Sequence, residues 1–262
     1  MTLDDDPNLG FARKVNSFPI PYTPKIMREI TAREFKQSIK SDPAWAAKLT
    51  EPVEITDYCD MEGSKITHLP QLLHFTKRNH KGFAATFDGC NHLKVAEGKF
   101  AGWVDFSRSG VEKIGDLKIS APDKEGYAAS FCECYALKTA EGCYPGYVDF
   151  SNSGIKRIGT LHITASEDGF AADFFGCKTL EMAEGTFPGH VDFEDSGIKL
   201  VGKLAITAPN NDGIKANFLG CDVRLPAEFL GLEYEMEDAL RQKNLQRIAA
   251  SKALKASPEI EI

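Results

Sequence analysis

At 262 residues, 42% hydrophobic and 26% charged, the chain has the make-up of an ordinary globular protein with a sizeable core, which excludes a disordered or fibrous one. No apolar run approaches the roughly 18 residues of a membrane span, the acidic start MTLDDDPNLG is unlike a secretory signal, and a net charge of −7 argues against nucleic acid as a partner. A cytoplasmic protein is expected, with its acid excess in the middle: residues 1–50 carry eight basic and six acidic side chains and residues 232–262 five and six, leaving 26 acidic against 18 basic between them.

In chain order, TAREFKQSIK opens on the capping box Thr31-x-x-Glu34, and SDPAWAAKL offers Asp42 as an N-cap with Pro43 at the first helical position, so two short helices are predicted. Residues 1–52 are expected to cap the apolar edge of the repeated segment downstream; a docking element is the alternative reading. ITHLPQLLHF then spaces Ile66, Leu69 and Leu72 as a degenerate first rung. Beyond it, GFAATFDGC at 82, GYAASFCEC at 126, GFAADFFGC at 169 and GIKANFLGC at 213 start 44, 43 and 44 residues apart. A fixed period of this size specifies a solenoid or a propeller, and the paired glycines of a kelch-type propeller are lacking. Each period holds two rungs, because Phe174, Cys177, Leu180 and Met182 repeat the 3-3-2 spacing of Ile155, Ile158, Leu161 and Ile163. Strand centres are predicted at Leu93, Leu117, Leu137, Leu161, Leu180 and Leu204. The last stretch, EYEMEDALRQKNLQRIAASKALKA, is rich in helix formers, with Met236, Leu240, Ile248 and Ala249 along one side, and is predicted to be a helix.

The spacing L-x-x-L-x-L, with Cys or an aliphatic residue at the turns, resembles the leucine-rich repeat family in its bacterial variant F-x-x-C-x-x-L-x-x-I, over about residues 53–230. Cys90, Cys134, Cys177 and Cys221 stand where plant and animal members carry asparagine, and a clear Ile-Pro after each strand is lacking. The resemblance implies a right-handed solenoid in which each rung supplies one strand of a parallel sheet. The expected fold class is therefore an α+β repeat solenoid, with a helical cap at 1–52, the solenoid at 53–230 and a C-terminal helix at 231–262.

Those four cysteines recur at the period and are expected to stack in an interior column as small apolar residues. The other three, Cys59, Cys132 and Cys143, form no C-x-x-C pair, and an odd total suits free thiols in a reducing compartment. No G-x-S-x-G, H-E-x-x-H, Walker or G-x-G-x-x-G motif occurs, and the six histidines lack ligand spacing. Neither a metal, a cofactor nor a catalytic constellation is expected.

Two surface columns carry the functional expectation. In each predicted L-x-I strand the middle residue faces away from the core, giving Lys94, Lys118, Lys138, His162, Glu181 and Ala205 down a concave sheet. Its three lysines and histidine would meet an acidic patch on a protein partner; pairing of the lysines with Glu97, Glu141 and their neighbours is the purely structural alternative. WVDF, YVDF and HVDF supply the second column: Trp103 with Asp105, Tyr147 with Asp149 and His190 with Asp192, an aromatic and acidic flank stripe at steps of roughly 10 Å. The function expected is a non-catalytic protein-interaction scaffold using the concave face. A carbohydrate or other small-ligand module using the stripe comes second, and an acidic mimic of DNA third.

Overall fold

A computed structural model of the protein describes residues 27–223; the predicted helix at 231–262 and the first part of the 1–52 segment lie outside them. In chain order the elements are β1 (Arg28–Ile30), α1 (Ala32–Ser41), a 3-10 turn (Ala46–Lys48), β2 (Val53–Ile55), β3 (Cys59–Asp60), β4 (His68–Leu69), β5 (Leu73–Phe75), β6 (Phe83–Thr86), β7 (Val95–Phe100), β8 (Trp103–Asp105), β9 (Lys113–Ile119), β10 (Tyr127–Ser130), β11 (Thr139–Tyr144), β12 (Tyr147–Asp149), β13 (Arg157–Ile163), β14 (Phe170–Asp173), β15 (Met182–Phe187), β16 (His190–Asp192), β17 (Leu200–Ile206) and β18 (Ala216–Asn217). The capping box forms, the Thr31 hydroxyl accepting the Glu34 N–H at 3.1 Å while Glu34 Oε2 accepts the Thr31 N–H at 2.7 Å. The second predicted helix is only the 3-10 turn.

The strands form mostly parallel sheets. The first has the order β1-β2-β5-β7-β9-β11-β13, with β4 also on β7; the second is β18-β16-β14-β12-β10-β8-β6-β3; the third is the pair β15-β17. From β5 onward successive strands alternate between the second sheet and the other two, so each rung adds one strand to each side and buries its inner face on the rung before. Of the predicted strand centres, Leu117, Leu161 and Leu204 lie in β9, β13 and β17, but Leu93, Leu137 and Leu180 fall in corners two residues ahead of β7, β11 and β15. Those corners turn every three residues: Cys90 N–H donates to Phe87 O and Leu93 N–H to Cys90 O. Corners and strands both space their inward residues by threes and twos, so the match of Phe174 to Ile155 is out by five residues, one three and one two; the structural counterpart of Phe174 is Phe150, stacked on it at 5.4 Å.

Phe87, Phe106, Phe131, Phe150, Phe174 and Phe193 are fully buried at the ends of the second-sheet strands. With Phe218 they stack with centroids 5.1 to 5.4 Å apart and planes within 14° of parallel. Across the core the ring at the end of every second strand, Phe100, Tyr144 and Phe187, meets this column edge-on. Ile119, Ile163 and Ile206 take its place on the alternate strands. The cysteine column exists, with serines between: Ser64, Ser109, Ser153 and Ser196 hydroxyls lie 3.2 to 3.4 Å from Cys90, Cys134, Cys177 and Cys221 Sγ. Each thiol also donates to a carbonyl, of Met61, Phe106, Phe150 and Phe193. These cysteines are therefore hydrogen-bonded groups rather than the plain apolar ones expected, and burial pushes the Cys134 and Cys177 thiols up to about 11.

Ala101 N–H donates to Phe75 O at 2.8 Å, tying the end of β7 to β5. Pro145 and Pro188 occupy the same place in the later periods and have no N–H to give. There β9 and β11 share a single register pair, Lys118 with Cys143, and no ladder joins β13 to β15. A cleft of about 810 Å³ marks that break, with Leu161, Ile163, Phe187 and Pro188 in its wall. Leu161 and Ile163, on the strand with no ladder to β15, are only partly buried, whereas Leu117 and Ile119 on β9, which keeps one register pair to β11, are 4% and 9% exposed. Ala101→Pro should extend the break to β5 and β7 and lower the unfolding free energy by about 1–3 kcal/mol, by removing one ladder bond and stranding a carbonyl. Denaturant titration reads this directly; a variant as stable as the parent would contradict the role given to the prolines.

Candidate functional site

Lys118 and His162 do share a column on the outer face of the first sheet, with Cys143 between them: Cys143 pairs in register with Lys118 on one side and His162 on the other. The column continues through two residues outside the expected set, Lys99 opposite Lys118 and His74 opposite Lys99. Lys99, Lys118, Cys143 and His162 are exposed and His74 half-buried. Two lysines, two histidines and a cysteine thus stand on five adjacent strands, about 4.8 Å apart, and the row ends in Glu54 on β2 and Glu29 on β1. Burial holds the His74 imidazole below its usual value and the neighbouring Lys99 charge adds to the shift, as expected for cations on adjoining strands.

Lys94, Lys138 and Glu181 do not belong to that column. They sit in the corners before β7, β11 and β15, and each is engaged locally: Lys94 with Glu112 at 2.6 Å, Glu181 with Lys199 at 3.2 Å, Lys138 Nζ with the Tyr135 carbonyl at 3.0 Å. Ala205 faces Thr186 in the third sheet. The correction follows from the five-residue slip, since Gly98 rather than Leu93 stands opposite Leu117. Its missed signal was the shared ending of G-K-F, G-C-Y and L-K-I, L-H-I, which aligns Lys99 and Cys143 with Lys118 and His162. Lys118 also reaches Asp116 at 3.2 Å, a surface pair that leaves both side chains exposed.

The flank stripe lies on the second sheet and is denser than two rungs per step. Trp103 pairs with Phe83, Tyr147 with Tyr127 and His190 with Phe170 in register, with ring centroids 4.3, 4.9 and 5.0 Å apart. The rings pack on one another, tilted or edge to face, and His190 is 4% exposed with Nδ1 at 3.1 Å from Ile214 O. Trp103 Nε1 is buried without a partner. Beside the rings runs a register row of Asp60, Thr86, Asp105, Ser130, Asp149, Asp173, Asp192 and Asn217.

Every member of that row has a backbone task. Its side-chain oxygen accepts the N–H two residues on: Glu62 for Asp60, Ser107 for Asp105, Ser151 for Asp149, Phe175 for Asp173, Glu194 for Asp192, and likewise for Thr86, Ser130 and Asn217. The carboxylates thus cap the turns that leave the sheet. The cost falls where three of them are consecutive. Burial, with Asp149 and Asp192 on either side, pushes the Asp173 carboxyl up to about 7, and Tyr147 donates its hydroxyl to Asp173 Oδ2 at 3.2 Å. Burial and the same carboxylates drive the Tyr147 phenol far above its usual value.

Among the described residues no three His, Cys, Asp or Glu side chains are placed to hold a metal ion, and no helix is long and apolar enough to cross a membrane. Compared with known proteins, the chain matches no family model, no curated protein and no solved structure.

Because the folded-state value of Asp173 lies above that of an unfolded chain, its contribution to stability is present at low pH and is lost as pH rises toward and through about 7. Asp173→Asn keeps an oxygen for the Phe175 N–H and removes the charge. The variant should melt above the wild type at about pH 8, with the difference shrinking to nothing near pH 4. Parallel melting curves across that range would refute the crowded-carboxylate account.

Proposed function

We propose that the chain is a non-catalytic interaction scaffold, a leucine-rich-repeat-like solenoid that receives an acidic patch of a protein partner on the outer face of its first sheet. The observation behind this reading is the register column His74, Lys99, Lys118, Cys143 and His162. In a chain of net charge −7, two lysines side by side, Lys99 and Lys118, flanked by His74 and His162 in the same row, are a local exception, bounded at one end by Glu54 and Glu29 in the same register. Such a face attracts the opposite charge before contact and fixes its register on contact. The flank stripe serves the fold better than it serves a ligand, since its rings cover one another and its carboxylates cap turns. A cytoplasmic setting, with free thiols, suits this role.

Lys99→Glu with Lys118→Glu should abolish capture of the partner isolated from native extract with the wild-type chain, while the melting temperature stays within a few degrees. Raising salt from about 0.05 to 0.5 M should weaken the wild-type complex, because exposed charges are screened beyond about 8 Å at physiological ionic strength. If the charge reversal binds unchanged while Trp103→Ala with Tyr147→Ala does not, the partner sits on the stripe instead.

A further inference from the structure

The long corners that lead from the first and third sheets to the second are built alike. In each, a glycine N–H donates back to the residue three before it: Gly82 to Asn79, Gly126 to Asp123, Gly169 to Ser166 and Gly213 to Asn210, at 2.9 to 3.3 Å. The side-chain oxygen of that first residue accepts the N–H four residues on, of Phe83, Tyr127, Phe170 and Ile214, at 2.9 to 3.1 Å. The glycines have φ between +82° and +102°, and a Cβ on Gly82 would come within 2.8 Å of Asp123 Cα in the next loop. Two positions are thus dictated, the capping residue and the glycine. The rest are free of the fold, yet their charge changes in order along the stack: Lys77, Arg78, His80 and Lys81 around the first turn, Lys124 and Glu125 in the second, Glu167 and Asp168 in the third, Asp212 in the fourth.

Between the first two loops lies a cavity of about 500 Å³ walled by Lys77, Arg78, His80, Asp123 and Lys124. Asp123 is committed to its own turn, its Oδ1 accepting the N–H groups of Glu125 and Tyr127, both at 2.9 Å. Lys77, Arg78 and Lys124 form no ion pair among the described residues. The stem of Arg78 is laid against Gly102, where any side chain would collide with Arg78 Cγ and Cδ. Three cations against one carboxylate leave the lining of the cavity at 3 − 1 = +2.

We propose that this cavity binds a phosphoryl group, the dianion of a phosphate monoester. A monoester carries about −1.5 to −2 at neutral pH and offers three terminal oxygens, which matches both the charge of the site and the donors of an arginine and two lysines in one cavity wall. The site lies on different residues from the acidic-partner face, so either can stand without the other.

The test titrates the full chain, by calorimetry, with glycerol 3-phosphate and separately with phosphatidylcholine vesicles containing phosphatidic acid. Saturable one-to-one binding is expected in at least one arm, at least tenfold weaker in Lys77→Gln/Arg78→Gln and unchanged in Lys156→Gln/Lys203→Gln, which removes two charges elsewhere. Binding in the soluble arm alone assigns a free ester, and in the vesicle arm alone a lipid headgroup. Should the first double variant fail to fold by circular dichroism, Lys124→Gln takes its place. No saturable binding in either arm, or equal weakening by both charge removals, overturns the proposal.

Discussion

Ring on ring, Phe87 to Phe218 stand 5.1 to 5.4 Å apart through the core, close to the separation of about 4.8 Å between neighbouring strands. A stack of that pitch lets every rung sit directly over the one before. Each ring pair adds about 0.5–1.5 kcal/mol to the area it buries, and a rung shifted by one residue would turn its phenylalanine out of the column. Surface order follows from this interior constraint. Because the rungs are in register, equivalent residues become columns: the cations of the first sheet, the turn-capping carboxylates of the second, the hydrogen-bonded thiols between.

Within that constraint the two-rung period has its own packing logic. Gly98 lies opposite Leu117, Gly142 opposite Leu161 and Gly185 opposite Leu204, so a rung without a side chain is followed by one that fills the space. The ring two residues on folds back over the glycine, and a Cβ on Gly142 would meet the Tyr144 ring at 2.9 Å. Large and small positions therefore alternate up the stack, and the repeat cannot be shortened to one rung without either a void or a clash. The same alternation puts Ala101, Pro145 and Pro188 at every second corner, where the missing N–H of proline goes with a ladder thinned to one register pair at β9–β11 and absent between β13 and β15.

The architecture was legible in outline. Repetition at 44, 43 and 44 residues announced stacked rungs, and the box at Thr31 and Glu34 announced α1. Register was not, because corners and strands both space their inward residues by threes and twos, and a shift of five, one three and one two, leaves the hydrophobic pattern intact. That slip mixed corner lysines Lys94 and Lys138 with the strand residue Lys118 and left out His74 and Lys99. The aspartates of the flank phrases were visible, but their turn-capping role needs the N–H two residues on to be located in space. The basic loop at 77–81 escaped because repetition draws attention to what recurs, while its charge is what does not.

The register of the cation column is best measured by disulfide trapping between neighbouring strands, which demands Cα atoms within about 7 Å. Lys118→Cys should oxidise readily with the native Cys143, its register partner, as mapped by peptide mass analysis of the folded chain. In a Cys143→Ser background, Lys118→Cys with Lys138→Cys should remain reduced under the same conditions, since Lys138 lies in the corner ahead of β11. Rapid bridging of 118 to 138, with none of 118 to 143, would contradict the register on which the proposed binding face rests.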